Sequence, residues 1–492
     1  MATLLTGEAA STNDAAPDGA PRLPRIIQGG MGIAVSNWRM ARAVAQTGAL
    51  GVVSGTAIDT VMVRRLQDGD PGGDVRRAMA RFPLPEVVAH VTQRFFQPEG
   101  RAPNEKYKLL PLYKQAAPLL RQQITMLAAF VEVSLAREGH DGMVGMNLLA
   151  KIQMPTLPLL YGAMLAGVHV ILMGAGIPRE IPGALDAMAK HEPTSIKFDL
   201  LNAGSGPAEE LAFDPRAAYP GVHAPLHRPL FFPIVAAASL AQMLARKANG
   251  RVDGFIVEGP TAGGHNAPPR GALKIDEHGE PIYGERDVVD LAAMREIGLP
   301  FWIAGGAGSP EGLEKALAAG AAGIQVGTLF AYSDESGFTP ALRRQVIDAA
   351  IQHHVKVHTD VQASPTGYPF KVVATNGASA APHRERECDL GYLREAVRRE
   401  DGRIEYRCAA EPIQLYMSKG GAEADTAGRQ CLCNALCACI GLAQPRGDGQ
   451  EEQPIITSGD DVVHLADFLQ GRTHYSAVDV IAYLTRAGVP AT

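Results

Sequence analysis

A closed barrel of eight parallel strands alternating with helices, a (β/α)8 architecture, is the fold class that this 492-residue sequence predicts. Three observations predict it. Eight apolar runs, beginning at Arg25, Ala49, Met143, Val168, Leu230, Val252, Phe301 and Ala322, stop at glycine or polar residues, and strands buried on both faces of a parallel sheet read as such continuous runs. Segments with helical spacing separate them, and strands alternating with helices argue a parallel sheet. Eight is also the number that closes a barrel. An open, doubly wound sheet fits the alternation too; the count favours closure.

In chain order, residues 1–22 lack the basic start and sustained apolar core of a signal peptide and carry Glu8, Asp14 and Asp18, so they read as a disordered tail. RIIQ then runs into GGMG (Gly29 to Gly32), and Ser36-Asn37 supply cap oxygens for the helix WRMARAVAQTG, with Gly48 as its stop. ALGVVSG (Ala49 to Gly55) is the second strand. The stretch from Asp59 to His140 is mixed: helical patches such as QQITMLAAFVEVSLAREG surround an aromatic, Pro-broken segment, which reads as helices plus an insertion. MVGMNLLAKI and MLAGVHVILMGAGIP repeat the strand unit. TSIKFDLLNAGSG (Thr194 to Gly206) is a further strand candidate, followed by an insertion before RPLFFPIVAAAS and the helix SLAQMLARKANG. VDGFIVEGPTAGGHNAPPRG (Val252 to Gly271), the helix DVVDLAAMREIG, PFWIAGG, the helix SPEGLEKALAAG and AAGIQVGTLF complete the series. The barrel is thus expected over 23–334, with a predominantly helical, Cys-containing lid or subdomain over 335–492.

Composition narrows the function classes. Hydrophobic residues are 46% and charged residues 20%, ordinary for a globular chain with a sizeable core. A net charge of -6 offers no basic field for nucleic acid, and no basic amphipathic stretch points to a membrane surface. A cytoplasmic protein acting on a small molecule is expected. Six cysteines, all at or after Cys388, do not form a secreted disulfide framework.

Glycine-rich turns follow several strands: GGMG, Gly263-Gly264, AGGAG (Ala304 to Gly308) and VGT (Val326 to Thr328). Glycine lets a ligand approach the backbone, and the helix N-termini that follow attract anions. Phosphate sites in these barrels are commonly built after strands 7 and 8, which makes Gly305, Gly306, Gly327 and Thr328 phosphate candidates. Taken singly, each glycine is equally explained as a tight turn. GGMGIA lacks the third glycine of a dinucleotide fingerprint, no Walker A sequence occurs, and GGH without HExxH gives no zinc motif. His265 reads as a proton handler or anion stabiliser, against the plainer alternative of a loop histidine bonded to backbone.

RIIQGGMG, Met146-Asn147, VEGPTAGGH, IAGGAGSPEGLEKALAAGAAGIQVGT and Glu335-Ser336 together resemble the nitronate monooxygenase (2-nitropropane dioxygenase) family, which is similar to the FMN-dependent enoyl-acyl carrier protein reductases. The likeness runs in motif order from Arg25 to Ser336. It implies a TIM barrel holding FMN, with phosphate at Gly305, Gly306, Gly327 and Thr328. The isoalloxazine would lie near Gly30, Met31, Asn147, Gly263 and Gly264, with Glu258 and Gln325 as further contacts, and backbone N–H groups of Gly30, Met31 and Gly264 would meet its polar edge. His265 matches the family's histidine beside the flavin, placed to abstract a C–H proton or hold an anionic nitronate. The implied activity is oxidation of alkyl nitronates with O2 to a carbonyl compound and nitrite. The alternatives are an NAD(P)H-dependent enoyl-thioester reductase, with an acyl carrier protein as partner, and a phosphate-ligand-binding barrel without redox activity. One departure bears on substrate: after His265 the chain reads NAPPRG, whose prolines stiffen the loop and remove donors.

Beyond the barrel motifs, DVQASPTGYPFKV, CDLGYLREA, EYRCAAEP and GRQCLCNALCACIG resemble the C-terminal extension of longer members of that family. Cys388, Cys408, Cys431 and Cys433 are read as free structural thiols, with a metal or iron–sulfur cluster as the alternative; CxC without a CxxC partner is atypical for ligation. The last helices, DVVHLADFLQG and SAVDVIAYLTRAG, read as lid or homodimer contacts.

Overall fold

The computed structural model describes residues 23–203, 208–375, 385–447 and 449–486; the expected N-terminal tail lies outside them. The eight apolar runs form one parallel sheet. Its strands are β1 (Ile26–Gln28), β2 (Gly51–Ser54), β3 (Val144–Leu149), β4 (Val170–Gly174), β5 (Leu230–Val235), β6 (Phe255–Glu258), β7 (Phe301–Ala304) and β8 (Gly323–Val326), and neighbours in sequence are neighbours in space. The sheet closes on itself. β1 pairs with β8 through Ile26 to Ile324, and a parallel bridge from Ile27 to Leu50 joins β1 to the edge of β2, with Gln28 N–H donating to Leu50 O at 3.0 Å. This is the (β/α)8 barrel, and it has no free edge to manage.

The apolar runs become strands because both of their faces are buried. Inward-facing Ile27, Val52, Val170, Leu172, Phe232, Ile256 and Trp302 fill the barrel interior, and the Phe232 and Trp302 rings stack at 4.8 Å. Trp302 Nε1 donates to Pro24 O at 2.8 Å, tying the entry of β1 to the base of β7. The opposite faces pack on the helices. Asn37 caps the helix Trp38–Ala45 by accepting from Arg39 and Met40 N–H, as its side chain predicts. Leu119–Ala136 is the one described helix long and apolar enough to cross a membrane, yet it is 78% buried within the fold, packed against neighbouring helices. The helix expected from DVVDLAAMREIG is shorter: Asp290 caps only Leu291–Glu296, and a 3-10 turn covers Glu285–Asp287.

Two features depart from the expectation. The candidate strand at Thr194 is real but lies outside the barrel: Thr194–Lys197 pairs antiparallel with Glu210–Phe213 in the insertion after β4. The C-terminal segment is mostly helical in its regular structure but also contributes four strands. β9 (Lys356–Asp360) and β10 (Phe370–Ala374) form a hairpin, and β11 (Glu395–Arg398) pairs with β12 (Ile404–Arg407) and, in parallel, with the insertion strand Leu200–Leu201. β9 and β12 carry several charged and polar residues with half-exposed faces, so the apolar-run signal is missing from them.

The C-terminal segment is fastened over the C-terminal mouth of the barrel by polar anchors. Tyr392 hydroxyl contacts the Asp59 carboxylate and Thr60 Oγ1, the latter at 2.7 Å, and Arg121 pairs with Asp59 at 2.7 Å in the same buried cluster. Arg121 holds Asp59 below its ordinary value despite full burial. Buried Arg446 binds Glu452 at 2.6 Å, Asp389 at 3.2 Å and Glu387, cross-linking three stretches of the segment. Buried charges persist only when paired in this way.

Candidate functional site

At the C-terminal ends of the barrel strands the chain encloses a cavity of about 210 Å³, the place where chemistry sits in this architecture. Its walls bring together Gly30, Met31, Asn147, Glu258, Gly263, Gly264, His265, Gly305, Gln325, Gly327 and Thr328 from the ends of β1, β3, β6, β7 and β8 and the loops that follow them. Gly306, the remaining sequence candidate, does not line it.

Glycine is required at two of these positions for different reasons. A Cβ on Gly30 would stand 2.1 Å from Asn147 Cβ; the close approach allows Asn147 Nδ2 to donate to Gly30 O at 3.1 Å and so fixes the loop after β1 against β3. Gly305 holds φ +83 with Ala262 N 2.9 Å from where a Cβ would be, so the turn after β7 fits only a residue without a side chain.

Two titratable groups in the cavity are pushed in opposite senses. Glu258 ends β6, and burial alone raises its carboxyl from 4.5 to about 7; it has no salt-bridge partner among the described residues. Burial lowers His265 from 6.5 to about 4, which makes it a neutral imidazole near pH 7 rather than a cationic anion holder. Its Nε2 is 2.7 Å from Ser364 Oγ, and its ring meets Phe370 edge-on at 4.9 Å. Environments that separate the pKa values of neighbouring groups are the mark of acid–base sites.

Some expected donors are already engaged. Met31 N–H donates to Ser36 Oγ at 2.9 Å and Gly264 N–H to Thr457 Oγ1 at 2.9 Å, so these two N–H groups are spent within the protein and are not offered to a ligand's polar edge. Thr328 Oγ1 likewise accepts from Gly459 N–H at 3.2 Å. By contrast Gln325 Oε1 is buried with no protein donor; such an acceptor calls for a donor from a bound group.

The C-terminal segment supplies walls that the sequence motifs do not announce: Phe338, Phe370, Tyr392, Leu393, Leu432, Cys433, Leu436 and the run Thr457, Ser458, Gly459, Asp461. The SPTG turn holding Ser364 and the TSGDD run are Ser-, Gly- and Asp-rich loops, the composition of turns that hydrogen-bond locally, and that is the only signal they carry. The six cysteines form no disulfide; Cys433 lies at the cavity, and Cys437 and Cys439 are buried on the helix Leu432–Cys439. Among the described residues no group of three or more His, Cys, Asp or Glu is arranged to hold a metal ion.

The cavity residues fit the ring end of FMN: Gln325 Oε1 is an unmet acceptor suited to an imide N–H of an isoalloxazine.

Comparison with known proteins adds the following. Residues 215–402 match the family model described as nitronate monooxygenase. A probable nitronate monooxygenase of Staphylococcus saprophyticus subsp. saprophyticus is 33% identical over 136 residues, 27% of this chain and 35% of that protein. The (3aS,4S,5R,7aS)-5-hydroxy-7a-methyl-1-oxo-octahydro-1H-indene-4-carboxyl-CoA dehydrogenase of Mycobacterium tuberculosis is 30% identical over 143 residues, 29% of this chain and 35% of that protein. The chain thus aligns with about a third of the length of these curated relatives. Among solved structures, FabK from Thermotoga maritima superposes with a TM-score of 0.46 at 17% identity, covering 94% of this chain and 92% of that one. Nitroalkane oxidase from Streptomyces ansochromogenes superposes with a TM-score of 0.46 at 16% identity, covering 94% and 96%.

Proposed function

From the nitronate monooxygenase likeness over residues 215–402, we propose that this chain is an FMN-dependent oxidoreductase that oxidises alkyl nitronates with O2 to a carbonyl compound and nitrite. The observation that supports it most is the single cavity in which His265, Glu258 and the orphaned Gln325 Oε1 meet the glycine loops after β1, β7 and β8. Gly305, Gly327 and Thr328 would hold the phosphate end of FMN and Gly30, Asn147, Gly263 and Gln325 the ring end; bound there, FMN supplies the electron-transfer chemistry.

The chain's own residues then do three things. His265, neutral at working pH, offers a ring nitrogen to an acidic C–H proton, while Ser364 Oγ at 2.7 Å from Nε2 fixes the ring orientation. Glu258, near half-protonation around pH 7, exchanges a proton at its carboxyl oxygens with whatever leaves or enters the cavity. Phe338, Phe370 and Leu436 exclude water, which strengthens each polar contact inside.

The relative acting on a CoA ester favours a second reading, an NAD(P)H-dependent reductase of enoyl thioesters. One pair of assays on the yellow, FMN-loaded protein separates the two: oxygen uptake and nitrite release with propyl-2-nitronate, against NAD(P)H oxidation with crotonyl thioesters. Nitrite release without thioester-dependent NAD(P)H oxidation is the expected result. A colourless protein that takes up no FMN on reconstitution would sink both.

A further inference from the structure

His265 sits on a short ladder with the C-terminal segment. Its backbone bridges antiparallel to Phe370, the first residue of β10, while Asn266 N–H donates to Pro369 O at 2.9 Å and Lys371 N–H to Gly264 O at 3.0 Å. The turn that leads into β10 is thereby fixed against the imidazole. Two of its side chains are hydroxyls. Ser364, wholly buried, lies 2.7 Å from His265 Nε2, and Thr366 Oγ1 lies 2.8 Å from Ser364 Oγ. Backbone donors complete the chain of contacts: Thr366 N–H donates to Ser364 Oγ at 3.2 Å and Tyr368 N–H to Thr366 Oγ1 at 3.4 Å. Arg429 Nη1, donating to Ser364 O at 2.7 Å, ties the turn down again.

Which nitrogen of a neutral imidazole carries the proton is set by the hydrogen bond of the other. A hydroxyl has one proton and two lone pairs, so two arrangements satisfy these contacts. In one, Ser364 donates to Nε2 and Nδ1 carries the ring proton. In the other, Nε2–H donates to Ser364 Oγ, Ser364 donates to Thr366 Oγ1, and Nδ1 keeps a bare lone pair. The cavity separates them. His265 lines it, and Nδ1 has no hydrogen-bond partner among the described residues. A ring N–H at Nδ1 would be a donor without an acceptor, and orphaned donors are rarer than orphaned acceptors. The charged groups nearby are committed or unpaired with the ring: Lys371 Nζ binds Asp460 at 2.7 Å, Arg429 binds the Ser364 carbonyl, and Glu258 and Asp461 on the cavity walls form no ion pair with His265.

We infer that Nδ1 is the ring nitrogen that takes the substrate proton, and that Ser364 and Thr366 are positioning residues that hold His265 in its Nε2–H tautomer. The inference rests on the proton-abstraction role given to His265 above. When an acidic C–H bond breaks, its electron pair stays on carbon and the proton goes to Nδ1. The imidazolium so formed keeps Nε2–H on Ser364 Oγ, and neither hydroxyl has to turn. In the other tautomer Nδ1 is already protonated and is no base. A neutral hydroxyl in this place orients the ring without raising its basicity, as a carboxylate would.

The test uses the full-length, FMN-reconstituted chain with isotopically labelled histidine. Long-range proton–nitrogen correlation at pH 7.5 reports which ring nitrogen is protonated, and the His265 signals are those missing from His265→Gln. Expected in wild type and in Thr366→Ser is a protonated Nε2 and a bare Nδ1. Thr366→Val should show the reverse, because Ser364 loses the acceptor for its proton and turns it to Nε2. Exchange of the α-proton of nitroethane for deuterium, a readout that needs no flavin turnover, should fall by about tenfold or more in Thr366→Val with KM little changed, and Thr366→Ser should restore it. A protonated Nδ1 in wild type overturns the inference even if no variant folds, and leaves the proposed function standing. An unchanged tautomer in folded Thr366→Val overturns the part given to the hydroxyl pair. If wild type shows the assigned tautomer but exchanges no α-proton, the proton-abstraction role of His265 falls, and the role of Nδ1 with it.

Discussion

Replacing Glu258 by glutamine probes the cavity's electrostatics without touching its shape. Burial raises this carboxyl from 4.5 to about 7, so between those pH values the folded chain holds a proton that the unfolded chain has released. The stability contributed by the protonated form is complete below pH 4.5 and is lost as the pH rises through 7. The interval is roughly two and a half pH units, and at about 1.4 kcal/mol per unit ionisation of Glu258 costs the folded state about 3 kcal/mol. Glutamine does not titrate. The variant is therefore expected to gain on the wild type by about 3 kcal/mol between pH 4 and pH 8, whatever its offset at pH 4. His265 titrates in the opposite sense, its stabilising neutrality being lost as the pH falls from 6.5 towards 4; it is present in both proteins and cancels in the difference. Urea unfolding of the flavin-free proteins at half-unit pH steps measures the quantity. A difference that stays constant within about 0.5 kcal/mol across the range, well under the effect worked out above, would refute the premise that Glu258 is held in an apolar, unpaired setting.

Three further outcomes are expected. His265→Ala should retain FMN but lose kcat/KM by roughly a hundredfold or more, and the acid limb of the wild-type profile should fall near pH 4 rather than 6.5; unchanged kcat/KM removes His265 from the chemistry. Gly327→Phe places a ring where a Cβ already stands 3.6 Å from Met31 Sδ, so the purified variant should show no flavin absorbance, and full occupancy contradicts the phosphate assignment. Arg446→Met leaves the carboxylates of Glu387, Asp389 and Glu452 without their shared cation, and denaturant unfolding should report a loss of about 3–5 kcal/mol.

The barrel was legible because each of its strands must be apolar on both faces: VVSG, VILMG, FIVE and FWIA carry that demand in four or five consecutive letters. The glycine loops were legible for a related reason, since the turn at Gly305 and the approach of Gly30 to Asn147 exclude every side chain. What closes the cavity was not. Ser364 reaches His265 across 99 positions and Thr457 reaches Gly264 across 193; neither lies in a periodic segment, and a serine in a turn looks the same whether its hydroxyl meets solvent or an imidazole. The same limit hid the roles of Met31 and Gly264, whose N–H groups are offered by the motif but taken by Ser36 and Thr457. Nor does sequence show that His265 is neutral and Glu258 poised, because burial sets both and burial is a property of the whole enclosure.

The anchoring of the mouth by Thr457 to Asp461 has a consequence for the order in which the molecule is made. During synthesis the barrel can close as soon as β8 reaches β1, well over a hundred residues before TSGDD leaves the ribosome. For that interval the nascent chain has a complete barrel with an open top, its β7 and β8 turns exposed and not yet met by the C-terminal run. A ligand that enters then meets an open mouth, and the later arrival of the last segment narrows the way in. Entry during translation and entry into the finished chain are thus different events, one through an open mouth and the other past the C-terminal segment.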